Sequence, residues 1–560
     1  MKLLTSILVF LSFLCNLHFA FATDYQVCPT CQYKHPFEII APQGNNPTKL
    51  QGGDTLFIGP GQYRMGLGAP NTGDTTKCYP NWPWDCVMRS IPSGPDPQHP
   101  TRIIGDCANP PQLYGVERAW YVLNLQGSSN VEIQCLDITD HSDCQVFGPK
   151  ACKRDGNPPY GDWAVTGITA SDSSNVLLKN VNVHGLYRGI HAGRLKDWTI
   201  EDSKIIANSF VGWDGDVGAN ISSNSGSIKF IRTKIQYSGC GETYPGLQTF
   251  NCYSQDQGGY GDGLGTHSTG GDWLFENSDI SFNVSDGIDL LYHSGNGSVT
   301  VKNTKIEGNA GNQLKVSAPA FIDKSVLIGD CAYFKDKSFT WNTATFNHCR
   351  AQGDTVAANY RSGMTIKISD SFISGVGDVL FLSQGTNCNG TEKFEVVNSR
   401  LQPGTEFNSG EPTKKYYASG SDGNGGGPCG QLQLTESGEG TTPSPPSVPP
   451  SAPVPPPQPL PLPVCVYEWC DALLPQCGGT RTQGVTNCGD LCFKIPVDCQ
   501  SVCPPCPECP PCPGPPECAD LNLSPKEFYS IAGRRRCEEV LKKGCQCNII
   551  DGKIIFRIKR

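Results

Sequence analysis

One pattern of eight residues recurs along the chain and constrains its fold more than any other feature. Written apolar-x-apolar-x-polar-x-x-apolar, it appears as Val131/Ile133/Cys135/Ile138, Val176/Leu178/Asn180/Val183, Trp198/Ile200/Asp202/Ile205 and Ile228/Phe230/Arg232/Ile235. It returns as Trp273/Phe275/Asn277/Ile280, Val299/Val301/Asn303/Ile306, Ile366/Ile368/Asp370/Ile373 and Phe394/Val396/Asn398/Leu401. Alternation with a period of two marks strands with one buried face. After the polar residue the alternation slips by one, as a bend between two strands requires. Where the series is tightest its copies lie 22 to 30 residues apart, a length suited to one coil of a parallel β-helix. Wider gaps of 45 and 67 residues are read as less regular coils or insertions. Parallel strands are joined by right-handed crossovers, so the expected fold is all-β, a right-handed parallel β-helix. A leucine-rich repeat would need a leucine register and a helical leg, and the repeat has neither. The recurrent Asn and Asp fall at the bend, where they satisfy turn backbone groups, and no chemistry is assigned to them.

The flanks suggest how the β-helix is packaged. Residues 1–22 read as a secretory signal peptide: Lys2, an apolar run, then the small-x-small site Ala20-Phe21-Ala22. No later stretch has the roughly 18 uninterrupted apolar residues of a membrane span. The β-helix domain is placed at 23–435, followed by a Pro/Ser/Thr-rich linker at 436–464 that cannot build a core. A Cys/Pro-rich region covers 465–518, and a tail covers 519–560, with a helix expected over 525–541 and a strand over 553–558. Of the 29 cysteines one leaves with the signal; 14 lie in the body and 14 after the linker, two even sets that fit disulfides in an oxidising compartment. The spacing of Cys503, Cys506, Cys509 and Cys512 resembles a metal site, but in a secreted chain disulfides are the better reading. Sequons at Asn220, Asn283, Asn296 and Asn389 could carry glycans. A formal net charge of −9 without a basic stripe argues against a nucleic-acid partner. The expectation is a secreted, extracellular monomer with no membrane span.

A second strand of each coil gives a different column. Its segments centre on Ile190, Trp213, Leu264, Ile288 and Leu314. If those residues point inward, the next ones point out, and the outward row reads His191, Asp214, Gly265, Asp289, Lys315. His267 shares the face of Gly265, and Asp262 and Asp286 open their strands at equivalent positions. The offsets from Asp262 to Asp286 and from Asp289 to Lys315 are 24 and 26 residues, each close to one coil. Coils rise by about 4.8 Å, so three carboxylates and one lysine would gather within two or three coils. Any one Asp-Gly is an ordinary turn former, but in-register aspartates beside a lysine are not explained by turns. Crowded carboxylates repel unless a cation lies among them, and hard oxygen ligands suit Ca²⁺. An acidic chain can bind an acidic glycan if that cation bridges the two.

The stretch Ser285-Asp286-Gly287-Ile288-Asp289-Leu290, the strand Gly297-Ser298-Val299-Thr300-Val301-Lys302-Asn303, and Gly308-Asn309-Ala310-Gly311-Asn312-Gln313-Leu314-Lys315 together resemble the family-nine pectate lyases. Those enzymes are pectin lyase-like parallel β-helices carrying Asp-Asp-Gly-Trp-Asp-Leu and, after a strand, Asn-Gly-x-Gly-Phe-Lys. The resemblance implies Asp262, Asp286 and Asp289 as Ca²⁺ ligands and Lys315 as the catalytic base. It covers about 55 residues, from Asp262 to Lys315. The sequence departs from the family pattern at several positions, among them Ser285 for an aspartate, Ile288 for a tryptophan and Leu314 for a phenylalanine. The first removes one carboxylate from the metal site. The implied chemistry is β-elimination on a uronate polymer such as pectate; His191, Asp214 and His267, on the same outward face, are the candidate substrate-binding residues.

Two other functions fit the same residues. A glycoside hydrolase could draw its two carboxylates from Asp214, Asp262, Asp286 and Asp289, although the polygalacturonase signatures are missing from the body. A β-helix on a Pro-rich stalk also suits a non-catalytic protein binding a cell-wall or matrix glycan, since fold does not fix function.

Overall fold

A computed structural model describes residues 22–42, 48–66, 68–72, 86–115, 119–141, 164–217, 223–242, 251–252, 261–293 and 296–334, then strands and bends between 345 and 437, and four short strands beyond. The chain divides into two units, Met1–Pro450 and Ser451–Arg560.

In the first unit nearly every strand pairs in parallel, and the coils wind right-handed. One column of eleven strands runs from Gln62–Met65 to Arg400–Pro403. Twenty-one further strands among the described residues form one sheet made of two columns. These join where Ala164–Lys179 and Arg188–Glu201, paired along their length, are long enough to serve in both. Three columns around one apolar core make a parallel β-helix.

The repeated pattern supplies the rungs. Val131, Val176, Trp198, Ile228, Trp273 and Val299 pair one with the next. The ladder continues through Ala320, Ile366, Phe394 and Leu434. Both 45-residue gaps are therefore insertions between adjacent rungs, while the 67-residue gap contains a further coil. That coil, Ala320/Ile322/Lys324/Leu327, is a copy of the pattern in which a small residue and a lysine take the first and bend positions. Side chains of Trp198, Trp213, Phe230, Trp273 and Phe275 are almost wholly buried and stack or meet edge-on up the interior.

The bends explain the recurrent Asn and Asp. Cys135, Asn180, Asp202, Arg232, Asn277, Asn303, Lys324, Asp370 and Asn398 all have φ between 46° and 58°. That left-handed region is reached most readily by Asn and Asp among residues with a side chain. Their side chains also form an external ladder, as where the Asn303 amide donates to Asn277 and the Asn398 amide to Asp370. One residue further on, a buried hydroxyl accepts from the backbone N–H of the preceding coil: Thr233 to Ser278, Ser278 to Thr304, Thr304 to Ser325, Ser325 to Ser371, at 3.0–3.2 Å. Each bond satisfies a buried donor that the strand ladder leaves over.

At another bend Asn208, Asn283 and Asn309 form a second internal ladder, with the Asn283 amide donating to Asn309 at 2.7 Å. Asn283 is 0% exposed. The sequence reading allowed a glycan there; the folded protein has no room for one, because that amide is consumed inside the coil.

Cys28–Cys31, Cys107–Cys135 and Cys240–Cys252 are disulfides, and Cys331 is also disulfide-bonded. No helix among the described residues is long and apolar enough to cross a membrane. In the second unit Gly484–Val485 pairs antiparallel with Leu491–Cys492, and Cys545–Ile550 with Lys553–Ile558, the latter being the strand expected over 553–558. Residues 1–21 of the signal peptide, the linker beyond Ser437, the cysteine run and the expected helix at 525–541 lie outside the described residues.

Candidate active site

The second column forms with the register that alternation implies. Ile190, Trp213, Leu264, Ile288 and Leu314 pair in sequence, each at most 1% exposed. Their neighbours pair likewise: His191 with Asp214, Asp214 with Gly265, Gly265 with Asp289, and Asp289 with Lys315.

Three carboxylates and the lysine converge at the lower end of this row. Asp262, Asp286 and Asp289 each bring one oxygen to a place where all three lie within 4.8 Å of one another. Lys315 Nζ donates to Asp289 Oδ2 at 2.8 Å and to Asp286 Oδ2 at 3.0 Å. Backbone and amide donors fix the carboxylates. The Asp286 N–H donates to Asp262 Oδ1 at 2.9 Å, the Leu291 N–H to Asp289 Oδ1 at 3.0 Å, and Asn312 gives Asp286 Oδ1 two bonds, at 2.6 and 2.9 Å.

Burial sets the electrostatics. Asp286 is 0% exposed and Asp262 3%. The Asp262 carboxyl is pushed well above the usual carboxylate range by burial, then by Asp286 and Asp289. Asp289 is raised as well, chiefly by burial, with Lys315 opposing and Asp286 adding. For Lys315 burial disfavours the ammonium, but Asp286, Asp289 and Asp262 outweigh it and hold the proton more tightly than an ordinary lysine does.

The donor set fits a hard divalent cation. All three ligand atoms are carboxylate oxygens, and three carboxylates against one ammonium leave two negative charges, which a divalent ion would balance. Thr266 Oγ1 and Asn312 Oδ1, two further buried oxygens of this region, have no hydrogen-bond partner. Ser285 is buried as well, within hydrogen-bonding influence of Asp262, so a hydroxyl stands where the family pattern has a carboxylate.

Above this cluster Gly265 leaves a depression in the outward row. Asp214, Asp216, Asp262, His267, Asp289 and Tyr292 all line it. A Cβ on Gly265 would come to 2.8 Å from Asp262 Oδ2, so the missing side chain is what opens the floor. Asp214 is held by Arg188 at 2.6 Å. His191 lies on the far side of Asp214, 3.9 Å from its carboxylate and 3.3 Å from the Asp216 carbonyl, and does not line the depression. His267 does, with its ring stacked on Tyr292.

Sequence reasoning missed Asp216 and Tyr292. Both lie just past strand ends, where no periodicity reports direction. The available signal was positional: Asp216, His267 and Tyr292 follow the outward residues Asp214, Gly265 and Asp289 by two or three places.

No protein-family profile and no curated protein matches the chain. Solved structures do, at low similarity. Pectate lyase Pel9A aligns over 71% of this chain and 78% of its own at 13% identity, with a TM-score of 0.34. The A-module of the Azotobacter vinelandii mannuronan C-5 epimerase AlgE4 aligns over 69% and 91% at 13% identity, with a TM-score of 0.37. The catalytic domain of a GH87 α-1,3-glucanase aligns over 67% and 64% at 11% identity, with a TM-score of 0.23. The strand register described above makes the chain a parallel β-helix with a carboxylate–lysine cluster on one outer face.

Proposed function

We propose that the protein is a secreted, Ca²⁺-dependent polysaccharide lyase acting on a uronate polymer such as pectate. One observation carries the reading: three buried carboxylates converge within 4.8 Å and two of them hold Lys315. Withdrawing charge from the substrate's carboxylate, and so acidifying the neighbouring C5–H, is the chemistry a divalent cation held by Asp262, Asp286 and Asp289 supplies. Lys315 takes the C5 proton. The electron pair forms the C4–C5 double bond, the C4–O bond breaks, and the leaving oxygen is protonated from water. For this the lysine must be neutral. In its resting state it is the carboxylates' counter-ion, and once their charge is engaged by a cation the field that holds its proton falls away. Asp214 and His267, beside the cluster in the depression, serve the glycan; His191 acts through Asp214 rather than in the cleft. The disulfides agree with an extracellular site of action.

A second reading, glycoside hydrolysis, is favoured by Asp216. Burial and then Asp214 raise its pKa, the direction a general acid needs, in the same depression as Asp262 and Asp289. Product chemistry separates the two. Incubation with polygalacturonate and Ca²⁺ should release products whose unsaturated ends absorb in the ultraviolet, with Lys315→Ala inactive. New reducing ends without unsaturation would replace the lyase by a hydrolase. Glycan binding without turnover would leave a binding protein.

A further inference from the structure

Tyr292 is 55% exposed, the most exposed large apolar side chain among the described residues. It is also the one of those side chains that lines the depression beside Asp262 and Asp289. An exposed ring forgoes the stabilisation of burial, yet this ring is positioned with care. The His267 imidazole stacks on it at 5.4 Å between centroids and 15° between planes. The loops that bear the two rings are tied together: Thr269 bridges His293, and the Thr269 N–H donates to the Tyr292 carbonyl at 3.1 Å. Asp216 lines the same depression, where the His267 backbone acts on its carboxylate and lowers its pKa against burial, and the Asp216 N–H donates to Asp214 Oδ1 at 3.0 Å.

We infer that the Tyr292–His267 stack is a platform for a pyranose ring of the bound glycan, with Asp216 as its positioning residue; this rests on the reading that the depression takes a glycan. A pyranose has a face of C–H groups, and an aromatic ring presents a negative π-face to such partly positive hydrogens. With His267 covering one face of the phenol, its exposed area is left to the other face and the rim. A ring held on both loops before the ligand arrives costs little ordering on binding, which is what a binding platform needs and a stray surface tyrosine lacks. The contact is sequence-tolerant stacking, so it takes the sugar ring and leaves recognition of its carboxylate to the aspartate–lysine cluster.

The test is calorimetric titration of the full-length protein, with Ca²⁺ present, using hexagalacturonate and a neutral probe, xylohexaose. Tyr292→Ala should bind hexagalacturonate about tenfold more weakly, Tyr292→Phe within about twofold of wild type. Ca²⁺ titration and melting temperature should be unchanged in both, separating lost stacking from misfolding. Asp216→Ala should weaken glycan binding, and Asp216→Asn, which keeps an oxygen facing the His267 backbone, should restore it. Unchanged affinity in Tyr292→Ala overturns the platform while leaving the lyase reading in place. Equal losses in the Ala and Phe variants overturn it too, since the hydroxyl would then be the contact. A wild type that binds neither glycan refutes the platform and the glycan reading together.

Discussion

Lys315 and Asp289 sit opposite each other on adjacent coils, their strands paired residue to residue, with Nζ 2.8 Å from Oδ2. The same ammonium reaches Asp286 on the coil that it shares with Asp289. The proposed base and the proposed metal ligands are thus in direct contact, and a cation would compete with the protonated lysine for one set of oxygens. This couples the charge state of Lys315 to occupancy of the carboxylates.

Asp262 is costly to the folded protein. Its folded-state pKa is raised, so stability is greatest below the unfolded carboxyl value, about 4, and falls as pH rises through the folded value. Asp262→Asn should therefore stabilise Ca²⁺-free protein at neutral pH, by an amount on the order of 1–2 kcal/mol, and raise its melting temperature. The gain should vanish as pH approaches about 4. Thermal melts across pH measure this; a lower melting temperature at neutral pH would show that the ionised carboxylate stabilises the fold.

Gly265 opens the depression, and a Cβ there meets Asp262 Oδ2 at 2.8 Å. Gly265→Ala should lower kcat/KM on polygalacturonate by at least about tenfold, through displacement of a ligand and narrowing of the floor. Steady-state kinetics decide it, and an unimpaired enzyme would mean that substrate does not approach this floor.

His184 lies on a different face of the helix, on the strand Asn182–His184, between Asp137 at 3.1 Å and Glu242. Burial opposes its charge, but bonds to Asp137 and Glu242 prevail and push its pKa up to about 10. A raised histidine contributes stability fully below its unfolded pKa, about 6.5, and loses it as pH climbs through about 10. Between those values the wild type should weaken with rising pH more steeply than His184→Gln, as denaturant midpoints will show. Parallel pH profiles for the two proteins would mean that the pair contributes nothing.

The scaffold was largely legible in the sequence because its physics is periodic. Val131, Trp198 and Trp273 announce inward positions by alternation, and the row from His191 to Lys315 follows once one inward residue per strand is known. The coil at Ala320 escaped because Ala and Lys324 blur both marks of the pattern, although Lys324 takes the same left-handed bend. Insertions could not be told from coils, since a 45-residue gap is compatible with either until Val131 is seen to pair with Val176. The internal ladders through Thr304 and Asn283 were hidden too. A serine, threonine or asparagine in a loop looks exposed until a neighbouring coil supplies the N–H that it accepts. The site beyond the strands, Asp216 and Tyr292, depends on loop conformation, which carries no period at all.

If Asp262, Asp286 and Asp289 converge on one cation beside Lys315, a calorimetric titration of Ca²⁺ into the metal-free protein reads that binding without recourse to any substrate. Asp286 contributes to every part of the cluster yet is wholly buried, so Asp286→Asn removes its charge with little change of shape. The account predicts one ion per chain for wild type and at least about a hundredfold weaker binding for Asp286→Asn. Wild-type affinity in that variant, or no Ca²⁺ binding by the wild type at millimolar concentration, would contradict it.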